Sequence, residues 1–455
     1  MHDFGPATDC RDAGGVGRVS IFAGETRRLL KQGNEMSVSA ELADAAAGAS
    51  KVAAVHEPKA AISRYRWVVL AVAFSAFLVT FLDRLAWANA NLLAGKSLEI
   101  PIAALGVFVT AFYVGYVTAS ALAGFVTDRV GPRLMLFFAL APLAASTFLF
   151  GLTTSFAMGL ALQGLMGLCA GADYAACVKA VASWFPRAER GRAFGLFSMA
   201  PSIGVAGANA IFPGLLNLID WRTLYWGLGG LTALVAAICL WLLTDSPRER
   251  DDGVRSAPLD PATWRRGLAA LCKDRNLVLI ALAGFGANWG TWGFAFWATA
   301  LMVRGYQLSP TDAGVVALIF GIAAAVSKPL YGLLSDMLGG KRRNLVIYDL
   351  IAFAAMLMLF GLMQTKAGFL LAAPLLGLTA VVYSPLLAAM ITEKVDLRFT
   401  ATATGVINAF WQLGSVIVPT IVGVVFAGTG SFSIAFAILA AGPLIGAICM
   451  FAVRE

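Results

Sequence analysis

Apolar stretches long enough to cross a bilayer recur twelve times along the chain, and no other feature of the sequence constrains its fold as much. A lipid core takes about 20 apolar residues per helix. The stretches run roughly over 67–89, 101–126, 133–151, 156–179, 193–217 and 222–243, then 276–302, 311–335, 344–363, 368–391, 400–427 and 432–452. Only 13% of the 455 residues are charged and 59% are apolar, with a mean hydropathy of +0.78, where a soluble protein carries about 25% charged residues. Lipid offers backbone N–H and C=O groups no partner, so segments of this length satisfy themselves as helices. The expectation is an all-α membrane protein with twelve transmembrane helices.

The one long charged segment between spans covers residues 244–275 and divides the chain into six spans and six. This predicts a six-helix unit over 64–243, a linker over 244–275 and a second six-helix unit over 276–455. Residues 1–63 are polar and lack apolar periodicity, which reads as a disordered segment. TRRLLK (Thr26–Lys31) is similar to a twin-arginine signal, but no apolar core follows it. Met36 opens a second plausible start, MSVSAELAD, so residues 1–35 are expected to precede the translated protein.

Basic residues are unevenly distributed. One set of loops holds Arg129, Arg133, Arg187, Arg190, Arg192, Arg248, Arg265, Arg266, Lys341, Arg342, Arg343 and Arg398; the other holds Lys96, Arg222, Arg304 and Lys366. Short loops rich in Lys and Arg stay in the cytoplasm, so both termini are expected there, and the net charge of +8 reads as loop charge rather than nucleic-acid binding. Six cysteines (Cys10, Cys169, Cys177, Cys239, Cys272, Cys449) show no metal-ligand or CxxC spacing and read as inert thiols. The two histidines, His2 and His56, precede the first span, which argues against a histidine-ligated metal in the membrane.

The halves repeat a motif. GFVTDRVGPR (Gly124–Arg133) follows the second span and GLLSDMLGGKRR (Gly332–Arg343) the eighth. A glycine lets two helices approach closely. The acid, at a helix end, can pair with basic residues or face the N-terminus of another helix. Such contacts can hold two helices in one conformation and break in another. Gly124, Asp128, Arg129, Gly131, Arg133, Gly332, Asp336, Lys341 and Arg342 are the candidate gating residues; the bland alternative is ordinary loop charge.

The motif pair, the twelve spans and the central linker resemble the major facilitator superfamily over about residues 64–453. The resemblance implies two pseudo-symmetric six-helix bundles, a substrate site between them near the midplane, and alternating access by rocking. YRWVVLAVAF…FLDR (Tyr65–Arg84), VKAVASWFPRAERGRAFGLFSMAPSIG (Val178–Gly204) and GANWGTWGFAFWATALM (Gly286–Met302) further resemble the anion:cation symporter family. That likeness implies symport of an organic anion such as a sugar acid with protons or sodium, and gives Asp83 and Arg84 to coupling and binding. Two of that family's span-four positions differ: its arginine is Gln163 here and its glutamate Ala170, with Asp173 one turn on as a substitute. SKPLYGLLSD (Ser327–Asp336) resembles the monocarboxylate transporters, in which a cation before proline binds the substrate carboxylate. Lys328 matches that cation, while Ala324 replaces the acid before it. The organophosphate antiporters rank lower, since span seven carries no arginine before Arg304.

Individual polar residues have a functional and a bland reading. Arg84 lies about 27 Å beyond Arg66 along a helix, and either faces a cavity, binding the substrate anion, or snorkels outward beside Asp83. Asp83 and Asp173 are candidates for the coupling proton; the alternative is a fixed ion pair. Lys179 is expected to snorkel. Lys328, about 12 Å from its helix end, would meet a substrate carboxylate or Asp336. Gln163, Tyr113, Asn288, Trp292, Asn408 and Gln412 lie near mid-span; amides among aromatic walls suit a ligand cavity, and helix packing is the bland account. Asn408 and Gln412 are expected to share a face.

There is no Walker loop, HExxH or GxSxG, so nothing indicates an enzyme, and no cofactor or metal is expected. The resulting expectation is a secondary carrier importing a small organic anion by proton symport, with sodium kept open. It would act as a monomer in a plasma membrane, the bacterial inner membrane, with no nucleic-acid partner. The alternatives are a monocarboxylate or aromatic-acid exchanger using Lys328 and, remotely, a sensor on a carrier scaffold.

Overall fold

The computed structural model describes residues 64–101, 104–246, 269 and 273–454. The expected N-terminal segment, with Met36 and both histidines, and most of the linker, with Arg248, Arg265 and Arg266, lie outside the described residues.

The first half comprises α1 (Tyr65–Ser97), α2 (Leu105–Val130), α3 (Pro132–Phe150), α4 (Phe156–Ala170), α5 (Asp173–Trp184), α6 (Arg190–Phe197), α7 (Met199–Leu216) and α8 (Trp221–Leu242). The second comprises α9 (Arg275–Ala300), α10 (Pro310–Met337), α11 (Arg342–Leu362), α12 (Lys366–Thr379), α13 (Tyr383–Lys394), α14 (Thr400–Thr429) and α15 (Phe432–Phe451). No strand occurs among the described residues. Pairing α4 with α5, α6 with α7 and α12 with α13 yields twelve membrane-spanning helices, as the apolar stretches predict.

Helix starts follow local chemistry. Ser155, Asp220, Asp274, Ser309, Thr365 and Ser431 each accept a backbone N–H from the first turn of the helix they precede, which satisfies donors a helix start leaves free. Gly131, with φ +88°, turns the chain between α2 and α3, a conformation that favours glycine. Lipid gives helices no hydrophobic reason to associate, so close contact depends on small residues. Gly286 and Gly442 show this, since a Cβ on either would strike the other's carbonyl.

The first half has its own buried cluster around Phe108, Phe150, Phe194 and Tyr225. The second has two, one around Phe360, Phe369 and Phe436, the other around Ile280, Tyr383, Leu386 and Met450. Side chains such as Leu122, Leu371 and Ile448 stay exposed, as lipid-facing residues do. The halves meet along α2 with α14 and along α6 and α7 with α10. The result is two six-helix bundles facing each other.

Spans four and ten depart from the continuous helices expected. Each breaks in the middle, at Gly171–Ala172 and at 380–382. A break frees carbonyls, and neighbouring helices supply the missing donors. The Ser120 hydroxyl of α2 donates to the Gly171 carbonyl at 2.9 Å, and the Thr291 hydroxyl of α9 to the Ala380 carbonyl at 2.6 Å. The two halves therefore repeat the same local device.

Candidate functional site

Arg84 comes from the middle of α1 and is half-buried. Its guanidinium carbon lies 4.7 Å from the ring centre of Tyr113, 5.1 Å from Trp292, 5.2 Å from Phe81, 5.4 Å from Tyr116 and 5.9 Å from Phe112, and it donates to the Tyr113 hydroxyl. Four rings belong to the first half, and Trp292 belongs to α9 of the second. The sequence candidates Arg84, Tyr113 and Trp292 are thus brought together between the bundles. Ring faces attract the cation without neutralising it, and no carboxylate pairs with Arg84 among the described residues.

Asp83 points elsewhere. It is 1% exposed inside the first bundle, and the Thr232 hydroxyl of α8 donates to its Oδ2 at 2.9 Å. Oδ1 and the hydroxyls of Thr147 and Tyr225 have no hydrogen-bond partner among the described residues. Successive helical residues diverge by about 100°, which separates the caged cation from the buried acid. The acid nearer the cleft is Asp173, the first residue of α5. It is fully buried, neither oxygen is hydrogen-bonded among the described residues, and Arg84 is close enough for their charges to interact. Gln163 is buried on α4 and makes no hydrogen bond to Arg84.

The second half presents an amide network. The Tyr383 hydroxyl donates to Asn288 Oδ1 at 2.7 Å, and Asn288 Nδ2 donates to Gln412 Oε1 at 3.3 Å. Asn408, one turn from Gln412, instead crosses between the halves, donating to Ser120 Oγ at 3.3 Å and towards the Tyr116 hydroxyl at 3.5 Å. Lys328, 5% exposed, also crosses: Nζ donates to the Ser198 carbonyl at 2.6 Å and to Ser202 Oγ at 2.9 Å. The expected pairing of Lys328 with Asp336 does not occur, because Asp336 is engaged at the helix end below.

That end carries two matching contacts. Asp128 of α2 accepts from the backbone N–H of Ala401 (3.1 Å) and of Thr402 (2.7 Å) and from the Thr402 hydroxyl (2.6 Å), all at the start of α14. Asp336 of α10 accepts from the backbone N–H of Gly191 (3.0 Å) and of Arg192 (2.7 Å) at the start of α6. In each case a carboxylate from one half caps the positive end of a helix from the other. Gly124 lies against the backbone of Ala401 and Thr402, and Gly332 against that of Gly191.

The basic residues of the motifs divide differently from the expectation. Lys179 does not snorkel; it pairs with Asp128 at 2.8 Å, because that carboxylate is buried one helix away. Arg129 lies 3.8 Å from the Phe125 ring centre. Arg133 donates to the Leu240 carbonyl at 2.8 Å, and its N–H bonds the Asp245 carboxylate, beside Gly131. Lys179 and Arg133 tie helices of the first half together, while Arg129 stays on a ring of its own helix. Arg342 pairs with Asp336 at 2.9 Å and with Glu393, and reaches the Arg187 carbonyl across the halves at 3.3 Å. Lys341 is exposed and contributes nothing to the contact. The sequence by itself does not single out Ser120, Ser198 or Thr402. Ser120 and Lys328 each stand one turn before their motif glycine, so superposing the repeats was the signal available.

Residues 72–419 and 289–455 match the sequence profile of the Major Facilitator Superfamily. The chain is 25% identical over 420 residues to the probable L-galactonate transporter of Escherichia coli, covering 87% of this chain and 90% of that one. It is 23% identical over 412 residues to the D-galactonate transporter of Escherichia coli, covering 85% and 94%. It shares a fold with the Escherichia coli fucose:proton symporter FucP at a TM-score of 0.69 and 15% identity, over 86% of this chain and 100% of that one. The family and these relatives are transporters, not enzymes. Twelve spans in two facing bundles, the repeated carboxylate–glycine contact and the profile match together mean that this chain belongs to the Major Facilitator Superfamily.

Proposed function

We propose that the protein is a carrier that moves a small organic acid, a sugar acid first among them, together with a proton. The observation that carries this reading is Arg84, a cation held between the bundles by aromatic rings from both and paired with no carboxylate among the described residues. A substrate carboxylate would meet the guanidinium in a charge-assisted, forked pair. The amides of Asn288, Gln412 and Asn408 and the hydroxyl of Tyr383 offer donors and acceptors to substrate hydroxyls. The relatives named for galactonate support this substrate class.

Asp173 is the natural proton carrier. Arg84 is the cation whose charge reaches it; when a substrate anion takes Arg84, the Asp173 carboxylate loses that countercharge, and a proton replaces it. Asp83, closed inside the first bundle, would act on helix packing before it acted on substrate. The Lys- and Arg-rich end faces the cytoplasm, placing both termini there, and the two carboxylate caps close that end in the present conformation. Their release would open it, which is alternating access. A bacterial inner membrane and a monomer complete the reading, and sodium remains the other possible coupling ion. A second reading, monocarboxylate or aromatic-acid exchange through Lys328, is favoured by that lysine's burial between the halves with no acid paired to it among the described residues.

Uptake into proteoliposomes under an imposed pH gradient tests the proposal. Accumulation of galactonate or a related sugar acid is expected, lost in Arg84→Ala, with exchange but not accumulation surviving in Asp173→Asn. No gradient-driven accumulation of any sugar acid, monocarboxylate or aromatic acid would overturn it.

A further inference from the structure

Both halves break a membrane-spanning helix at the same point, and both place a carboxyl group at the break. In the first half the acid is Asp173, the opening residue of α5. In the second half the opening residue of α13 is Tyr383, and the acid arrives from the adjacent helix. Asp349 sits on α11, which packs against α13 so that Ile347 and Leu350 beside it share a buried cluster with Tyr383. It is 2% exposed, and neither carboxyl oxygen has a hydrogen-bond partner among the described residues.

Its surroundings hold no countercharge among the described residues. The ionisable groups within reach of its charge are Tyr331 of α10 and Tyr383 of α13. The helix α15 offers only Cys449, and α9 has no charged residue after Arg275. Lys366 of α12, at the opposite end of the molecule, pairs with Asp312. The two arginines that open α11 are engaged elsewhere, Arg342 with Asp336 and Glu393, and Arg343 with the carbonyls of Met450 and Phe451. Glu393 and Lys394 close α13 at that same end, the first on Arg342 and the second on the Arg454 carbonyl. An ionised carboxylate is expensive in such a place, and a proton is the smallest occupant that removes the expense.

We propose that Asp349 is a second proton-binding site, in the C-terminal half, whose occupancy controls the break between α12 and α13. The geometry supplies the connection. Tyr383 packs in one buried cluster with Ile347 and Leu350, which flank Asp349 on α11, and donates its hydroxyl to Asn288, which in turn bonds Gln412. One residue therefore links the cluster beside the buried acid to the polar face between the bundles. An ionised Asp349 draws on the positive N-terminal end of α13 and holds the break in place; a protonated Asp349 releases it. About 10 Å of helix separate Asp349 from Arg342, so the site lies towards the basic end. Only its effect on transport rests on the carrier reading; proton binding itself does not.

Infrared difference spectra between acid and alkaline pH, recorded on the reconstituted full chain without substrate, test the binding. Adding Asp349→Asn to the Asp173→Asn protein should remove a protonated-carboxyl band that disappears on alkalinisation; the buried Asp83 carboxyl is common to both proteins and cancels in the comparison. In the Asp173→Asn background substrate exchange should slow as pH rises, and adding Asp349→Asn should hold it at its acid-side rate. No Asp349-dependent titrating band would overturn the site, whatever the outcome of the uptake assay. A band with exchange that ignores pH would overturn its control of the break. Should Asp349→Asn not fold, Asp349→Glu must move the band and its midpoint; unmoved values would likewise overturn the proposal.

Discussion

Replacing Asp128 by Ala removes one of the two contacts that close the basic end, and the structure sets the scale of the effect. Three of its bonds cross between the halves, to the N–H groups of Ala401 and Thr402 and to the Thr402 hydroxyl, at 2.6–3.1 Å. Hydrogen bonds to a charged group contribute about 1.5–3 kcal/mol each, and not additively. Removing one partner of a buried pair costs about 3–5 kcal/mol, because the other is left unsatisfied. Here the partner left behind is Lys179, whose side chain is 12% exposed. Water reaching the opened end recovers part of the loss, so we take about 3 kcal/mol for the contacts that exist only in the closed conformation. That is more than a hundredfold in the ratio of closed to open molecules, at about 1.4 kcal/mol per factor of ten. Spin labels at Val130 and Arg398, on opposite halves beside the contact, report the ratio through their distance distribution in a cysteine-free background. The parent protein should show a short distance, and Asp128→Ala should show a longer distance as the main population. Asp128→Asn, which keeps an acceptor but not the charge, should fall between them. An unchanged distribution in Asp128→Ala would refute the assignment of this contact as a gate.

Gly124→Val should open the same end without altering any charge, because its Cβ would fall on the backbone of Ala401 and Thr402; the same labels check it, and a wild-type distribution counts against close approach as part of the closure. Arg84→Lys keeps the charge but loses the planar fork and much of the ring contact, so KM for the substrate should rise about tenfold or more. Initial-rate uptake measures this, and an unchanged KM would remove Arg84 from the site.

The cleft was partly legible. Arg84, Tyr113 and Trp292 were singled out because charged and aromatic side chains in an apolar helix need a reason to be there. Their assembly was not legible, since α1, α2 and α9 are far apart in the chain. The breaks in spans four and ten were invisible for a similar reason. Span four carries no proline at its break; span ten has Pro385 in the first turn after its break, where it leaves the Val381 carbonyl without its helical donor, and the hydroxyls that stabilise both breaks, Ser120 and Thr291, come from other helices. Asp349 drew no attention because it is a single acid in an apolar run, and only burial without a partner sets it apart.

By itself the sequence determined how many times the chain crosses the membrane, which end is basic, and that the two halves carry one motif. These follow from run length, loop charge and local spacing, which are properties of the chain read in order. The tertiary structure alone decided that Asp83 and Arg84 face different surroundings, that Lys179 rather than Arg129 pairs with Asp128, and that each motif carboxylate caps a helix of the opposite half. Those outcomes depend on which helices lie side by side. In lipid that is decided by close packing and by the need of every buried polar group for a partner, and such partners are remote in sequence.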